Sequence, residues 1–258
     1  MLRVAFALLL AALPAHAVAS APAGWRYDVY WMGLPVGEGT FGRAETGDGY
    51  RALWSMETEG LVAGFLHLDV EGMAEGQLTD GRPVPSLYRN HLRTAKREGQ
   101  VAVSYAPRGP QARLLENTIR WTAPPGPDDK NPPPVPGHLR RGVDPATGMV
   151  LVGRGVRRAF HGGPDSFAVP VYDGVRRFDL RVRVVGLEEV HVWWQSFPAV
   201  ELAAEIVPIA GFEEPEKWDS EPIQVHLDPA TMLPRRIETR GIVITADEPC
   251  ADLADCRG

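Results

Sequence analysis

Two cysteines, six histidines beyond residue 20 and a scatter of carboxylates are the side chains from which any chemistry would have to be built. Cys250 and Cys256 stand in a C-x5-C spacing near the C-terminal end. In an oxidising compartment a pair this close is expected to join and close a small loop. The competing readings are a metal site, which has Asp252 and Asp255 at hand but no histidine, and a redox pair, which more often takes the C-x-x-C spacing. A structural disulfide is the favoured expectation. His67, His91, His138, His161, His191 and His226 are dispersed, and no two share a spacing typical of metal ligands on one element. No metal centre is expected. His161, with Asp165 and Asp173 further along, is the constellation from which an enzyme cleft would be assembled, but His161-Gly162-Gly163 reads more simply as a polar loop. Glu188-Glu189 and Glu213-Glu214 are consecutive, so they point to opposite sides of a strand or lie in a turn rather than forming an acid–base dyad. There is no G-x-S-x-G, no H-E-x-x-H, no phosphate-cradling loop and no dinucleotide fingerprint. The glycine-rich run 33–42 (GLPVGEGTFG) reads as bends within strands. Neither enzymatic activity nor a cofactor is expected.

The tryptophans are more suggestive. Trp31, Trp54 and Trp194 fall on the apolar faces of alternating segments, with Trp193 on the other side. A concave sheet lined by them would make a pocket for an apolar ligand. The same residues would equally serve to fill a core. They are the candidate ligand-binding residues.

The elements that must carry these side chains are strands. Period-two alternation recurs along the chain, as half-buried antiparallel strands require. Trp25, Tyr27, Val29 and Trp31 share a face, as do Tyr50, Ala52, Trp54 and Met56. Leu66, Leu68 and Val70 come next, then Phe178 to Val184, Val200 to Ile206 and Ile223 to Leu227. Asp48-Gly49, Asp80-Gly81 and Asp173-Gly174 sit where hairpins need positive φ. About twelve strands in a meander would fold one large sheet around a core. Residues 122–137 (TAPPGPDDKNPPPVPG) form a proline-rich loop that can be neither helix nor central strand. Asp144-Pro145 then pairs an N-cap residue with proline at the first helical position. This predicts one short helix, about 144–152, ended by Gly153 or Gly155. The Asp-Pro-Ala-Thr string recurs at 228–231, where it joins two strands and reads as a turn.

Composition and targeting signals place these elements. Arg3 and the apolar run Val4–Leu13 precede a small-residue cleavage pattern, so residues 1–19 read as a signal peptide cut after Ala19, or alternatively after Ala17. The apolar run is about half the length that a bilayer requires. No later stretch approaches that length, so no transmembrane segment is expected in the mature chain, and the periplasm is its expected location. Hydrophobic residues make up 44% of the chain, ample for a core, and residues 20–258 read as a single β-rich domain with a C-terminal tail at 246–258. With a net charge of −6 and no basic cluster, nucleic acid is not an expected partner.

Several strings, in order, resemble the periplasmic family known as domain of unknown function 3108. They are Tyr27-Asp28-Val29-Tyr30-Trp31-Met32-Gly33-Leu34-Pro35-Val36-Gly37, the Asp144-Pro145 helix start, Val171-Tyr172-Asp173-Gly174 running into Arg177-Phe178-Asp179-Leu180, and Leu233-Pro234-Arg235-Arg236-Ile237. The resemblance spans roughly residues 25–245 and implies a mainly β envelope protein: a large curved antiparallel sheet or half-open barrel, distantly like the lipoprotein carriers LolA and LolB. It brings no catalytic residues. Where many members have a cysteine, this chain reads Glu201-Leu202-Ala203-Ala204-Glu205, so any role of that thiol is absent. Two functions are expected from it. The first is a protein that binds or carries an apolar envelope molecule, a lipid or acyl chain. The second is a non-enzymatic structural or interaction protein acting through surface loops, with the pre-extended 122–137 segment as its docking element for an envelope protein.

Overall fold

The computed structural model describes residues 23–60, 63, 67–105, 112–126, 130–192, 195–217 and 222–257. Residues 1–19, Leu66 and Trp194 lie outside them. The strands are β1 (Gly24–Trp31), β2 (Leu34–Thr46), β3 (Gly49–Thr58), β4 (Leu68–Thr79), β5 (Arg82–Thr94), β6 (Arg97–Tyr105), β7 (Ala112–Asn117) and β8 (Arg120–Trp121). After helix α1 (Pro145–Phe160) come β9 (Ser166–Tyr172), β10 (Arg177–Val192), β11 (Gln195–Ala210), β12 (Ile223–Leu227), β13 (Pro234–Thr239) and β14 (Ile242–Cys250). All belong to one antiparallel sheet in the order β7-β6-β5-β4-β3-β2-β1-β14-β13-β12-β11-β10-β9, with β8 paired to β6. The two halves of the meander join where β1 meets β14, from Trp31 opposite Ile242 to Gly24 opposite Cys250. The expectation of a large curved sheet with one helix holds.

The sheet curls into a nearly closed barrel whose edge strands, β7 and β9, are not paired with each other. Residues 140–143 cross this seam. Ala112 N donates to Arg140 O at 2.9 Å, Val143 N to Pro170 O at 2.9 Å, and Tyr172 N to Val143 O at 2.9 Å. Tyr105 adds a side-chain tie, its hydroxyl donating to Tyr172 O at 2.7 Å.

The helix lies against the inner faces, and its end differs from the expectation. The Asp144 cap and Pro145 start are as predicted, but α1 continues to Phe160 rather than stopping near 152. Gly153 and Gly155 do not terminate it because they are contact positions. A Cβ on Gly153 would stand 2.8 Å from Met232 Cβ, and one on Gly155 only 2.3 Å from the Phe167 ring. Val152 and Val156 then pack with Val169, Val171, Val182, Val200, Leu202 and Leu227 as one core cluster. Burying each such valine contributes about 1.5–3 kcal/mol.

Because consecutive turns of a meander alternate between ends, the barrel has two distinct ends. At one are the turns after Thr46, Thr79 and Leu227, and α1 closes it: Gly153 meets Met232, and Arg154 lies 3.8 Å from where a Cβ on Gly81 would be. At the other are the turns after Trp31, Thr94, Tyr172 and Thr239 and the connection after Ala210. This second end carries the recesses lined by Trp121, Pro132, Arg176 and Phe212, and in that sense it is the open one. Residues 246–250, expected to belong to the C-terminal tail, are instead the end of β14 paired with β1, because Ala246, Pro249 and Cys250 stand opposite Tyr27, Trp25 and Gly24; the chain after Cys250 folds back on β1 and β2. Cys250 and Cys256 stand at disulfide distance, with Cα atoms 5.4 Å apart, and Arg26 Nη2 donates to Asp255 O at 2.9 Å. Among the described residues, no helix is long and apolar enough to cross a membrane.

Candidate ligand-binding site

Alternation along β3 turns Tyr50, Ala52 and Trp54 toward the interior, and their cross-strand partners on β4 are Gly76, Ala74 and Gly72. The glycines leave room for rings to lie flat on the sheet. A Cβ on Gly72 would fall 1.8 Å from Trp54 Cζ2, and one on Gly76 would fall 2.5 Å from Tyr50 Cε1. Trp54 thereby reaches across β4 to stack on Tyr88 of β5, with ring centroids 5.4 Å apart and planes 16° from parallel. Tyr50 reaches α1, its hydroxyl 2.5 Å from Thr147 Oγ1.

Beyond Tyr88, toward the open end and the seam, lies a cavity of about 420 Å³. Its apolar walls are Tyr88 and Leu92 of β5, Val101 of β6, Ile119, Trp121 and Val175. Asn90, Asn117, Asn131, Arg97, Arg120, Arg176 and Asp173 supply its polar groups. A recess of about 360 Å³ shares Arg97, Trp121, Pro132 and Arg176 with it and adds Phe212, Glu213 and Lys96. The volumes fall within the roughly 300–1,000 Å³ typical of small-molecule sites.

Two cations of this site, Arg97 and Arg176, are held against aromatic rings. The Arg97 guanidinium lies 4.1 Å from the Trp121 ring centroid, donates to Glu213 Oε1 at 2.9 Å and also donates to Lys130 O. Trp121 Nε1 donates to Asn131 Oδ1 at 3.0 Å, which fastens the proline-rich segment to the wall. Arg176 sits over Phe212 at 5.8 Å. Asp173 caps the β9–β10 turn, accepting from Val175 N at 2.8 Å and from Arg176 N. Desolvation pushes its carboxyl above the usual range, while the backbone N–H and guanidinium of Arg176 pull the other way. Burial likewise raises the Tyr88 phenol. Asn90 Oδ1 is enclosed and accepts no hydrogen bond from the described residues. Chemically, the site offers aromatic and aliphatic walls to an apolar body, with arginines and amides for a polar or anionic end. Among the described residues, its lining contains no serine, cysteine or histidine.

The three tryptophans singled out from the sequence are not brought together. Trp54 supports the cavity through its stack on Tyr88. Its register partner on β2 is Phe41, whose partner on β1 is Trp25, not Trp31. Trp31 is six residues further along β1, about 20 Å away at strand rise, and half exposed at the open rim. Trp194 lies outside the described residues. His161, Asp165 and Asp173 do not converge either, because Asp165 and Asp173 flank opposite ends of β9. The proline-rich segment is less free than a docking element would be: Val135 is 4% exposed and packs with Val103, Tyr105 and Tyr172 in the core. Among the described residues, no group of three His, Cys, Asp or Glu side chains gathers as a metal site. A second, more polar groove of about 650 Å³ includes the cross-strand row Thr40, Ser55, Glu71, His91 and Gln100.

Comparison with known proteins adds family and fold. A family profile described as protein of unknown function (DUF3108) matches residues 26–240. No curated protein matches the chain. Among solved structures, a β-barrel-like protein of domain of unknown function DUF1849 from Brucella abortus is similar over 88% of this chain and 96% of its own, with a TM-score of 0.51 and 9% identity. That likeness is one of fold alone.

Proposed function

The chain belongs to the DUF3108 family of proteins of unknown function, and from that premise we propose that it binds a small amphipathic molecule of the cell envelope, an acyl chain bearing a polar or anionic end. The observation that carries this reading is the seam cavity, where Leu92, Val101, Ile119 and Val175 face an apolar body while Arg97, Arg120 and Arg176 border it. Apolar enclosure with a few placed polar groups is what small-molecule recognition requires. Arginine suits the polar end, since its planar fork matches carboxylate and phosphate alike. The periplasmic setting is part of the proposal and is supported by the signal-like residues 1–19 and the C-x5-C tail. A role acting through the proline-rich loop draws less support, because Val135 anchors that loop in the core.

The test is uptake of a fluorescent fatty-acid analogue by the purified protein. Saturable uptake with a blue-shifted probe is expected, and Leu92→Trp, which fills the cavity from the β5 side, should abolish it while the circular dichroism stays native. Uptake that survives Leu92→Trp, or no uptake by folded protein, would refute the site.

A further inference from the structure

The end of the barrel that α1 closes gathers arginines from the sheet and from the helix. Arg43 of β2 stands opposite Ala52 of β3, so it shares the inward face with Tyr50 and Ala52. Its Nη2 donates to Thr231 O at 3.2 Å. Arg157, in the last turn of α1, donates from Nη2 to Ala230 O at 2.8 Å. The two guanidiniums thus meet consecutive carbonyls of the β12–β13 turn. Arg154 lies one helical turn before Arg157 on the same face, and its Nη1 is 3.8 Å from where a Cβ on Gly81 would be.

Among the described residues, none of these three arginines forms an ion pair. Several of the sheet's other arginines do, as Arg51 with Glu75, Arg177 with Asp179 and Arg236 with Glu238. Glu45, two residues along β2, stays beyond ion-pair distance. Asp228 is taken up by its own turn, where it accepts from Ala230 N, Thr231 N and Thr231 Oγ1. The connections that leave β6 and β10 at this end, 106–111 and 193–194, contain no Asp or Glu in their sequence. Each carbonyl bond uses one of an arginine's five N–H donors and cancels no charge. Burial pushes the Arg43 guanidinium down; Glu45 opposes this, while Arg157 and Arg154 add to it. The pull of a helix C-terminus explains Arg157. It does not explain why a partly buried arginine of the sheet reaches in beside two like charges.

We propose that Arg43, Arg154 and Arg157 form a binding site for a phosphate group. Uncompensated like charges held together raise the energy of the empty site, and an anion between them offsets that repulsion. Guanidiniums drawn from a strand and a helix present their spare donors from two sides. That arrangement suits a tetrahedral dianion with several acceptor oxygens better than a carboxylate with two. A free phosphate and a lipid phosphate monoester share this chemistry. The site lies at the other end of the barrel from the seam cavity, goes beyond the cavity reading and does not depend on it.

The test titrates inorganic phosphate into the full chain at constant ionic strength, with chloride as the balancing anion, and reads the heat of binding and the Tm. The wild type should give a saturable heat and a rise in Tm that chloride does not reproduce. Arg154→Gln removes a side chain that makes no hydrogen bond within the fold, so it should fold and weaken phosphate about tenfold or more. Without phosphate it should be at least as stable as the wild type, because a like charge is gone. Arg43→Gln should weaken phosphate likewise, whereas Arg183→Gln, exposed on β10 opposite Ser166, should not. Leu92→Trp should bind phosphate normally, which separates failure of this site from failure of the cavity. In that variant, tighter binding of dihexanoyl phosphatidic acid than of phosphate assigns the group to a lipid; equal or weaker binding assigns it to a free phosphate. The site is overturned if the wild type gives no saturable heat, if phosphate binding survives both Arg154→Gln and Arg43→Gln, or if Arg183→Gln weakens it equally.

Discussion

Asp144 caps α1 from a fully buried position, accepting from Thr147 N at 2.8 Å and from the Thr147 hydroxyl at 2.6 Å. Since that hydroxyl gives its proton to the carboxylate, Tyr50 must donate to Thr147 Oγ1. Burial pushes the Asp144 carboxyl up to about 6, against the pull of its hydrogen bonds. A folded value above the ordinary 3.8 means that the folded state holds the proton more tightly than the unfolded chain. Stability therefore falls as pH rises from about 4 to about 6, by on the order of 3 kcal/mol. Asp144→Asn keeps an equivalent cap and should flatten most of that slope in urea titrations across the window, leaving the share that the raised Asp173 carboxyl contributes; an unchanged slope would assign it elsewhere. Gly72 makes a second residue-scale case. Gly72→Ala puts a methyl into the Trp54 ring and should cost about 1–3 kcal/mol by overpacking, with a shift in tryptophan emission that Gly47→Ala, at a turn remote from any ring, should not produce. Trp54 was legible as an inward residue because Tyr50, Ala52 and Trp54 alternate with Arg51 and Ser55, even though the buried Leu53 interrupts the pattern. Arg97 and Arg176 were not, because a lone arginine in sequence reads as solvated surface until Trp121 and Phe212 are seen beneath it.

At the scale of elements, local chemistry predicted starts better than ends. The Asp-Pro-Ala-Thr string makes the same hydrogen bonds twice: Thr147 N donates to Asp144 at 2.8 Å, and Thr231 N to Asp228 at 2.8 Å. One copy opens a helix, and the other turns the chain from β12 into β13, through Met232 at φ 59°. The difference lies in tertiary packing after the string: Gly153 and Gly155 continue α1 because Met232 and Phe167 press on them. Strand β5, which opens with Pro83 and Pro85, was not among the alternating segments singled out, so Tyr88 and Leu92, the cavity's inner wall, went unnamed. Among its described residues the proline-rich segment holds neither α-helix nor strand, as expected, but nothing in its composition revealed that Val135 is core. Val135→Ala should accordingly destabilise the protein by about 2 kcal/mol in chemical denaturation; no change would show the segment to be detached.

For the whole molecule, sequence order carries over almost directly into sheet order, because each strand pairs with its chain neighbour except where β1 meets β14 and where β8 passes over β7 to pair with β6. That is why a curved antiparallel sheet could be read from alternation and turns. The seam could not, since it depends on where the last strands stop and on residues 140–143 bridging β7 and β9. The cavity sits at this seam, with walls drawn from β5, β6 and the β9–β10 turn, segments some 80 residues apart in the chain. The measurement that tests the central claim most directly is native mass spectrometry of the protein purified without detergent from the cell envelope, beside its Leu92→Trp variant. The account predicts a reproducible adduct of acyl-lipid mass on the wild type, released on denaturation and missing from the variant. An adduct carried equally by both proteins, or a bare polypeptide mass that added fatty acid does not change, would contradict it.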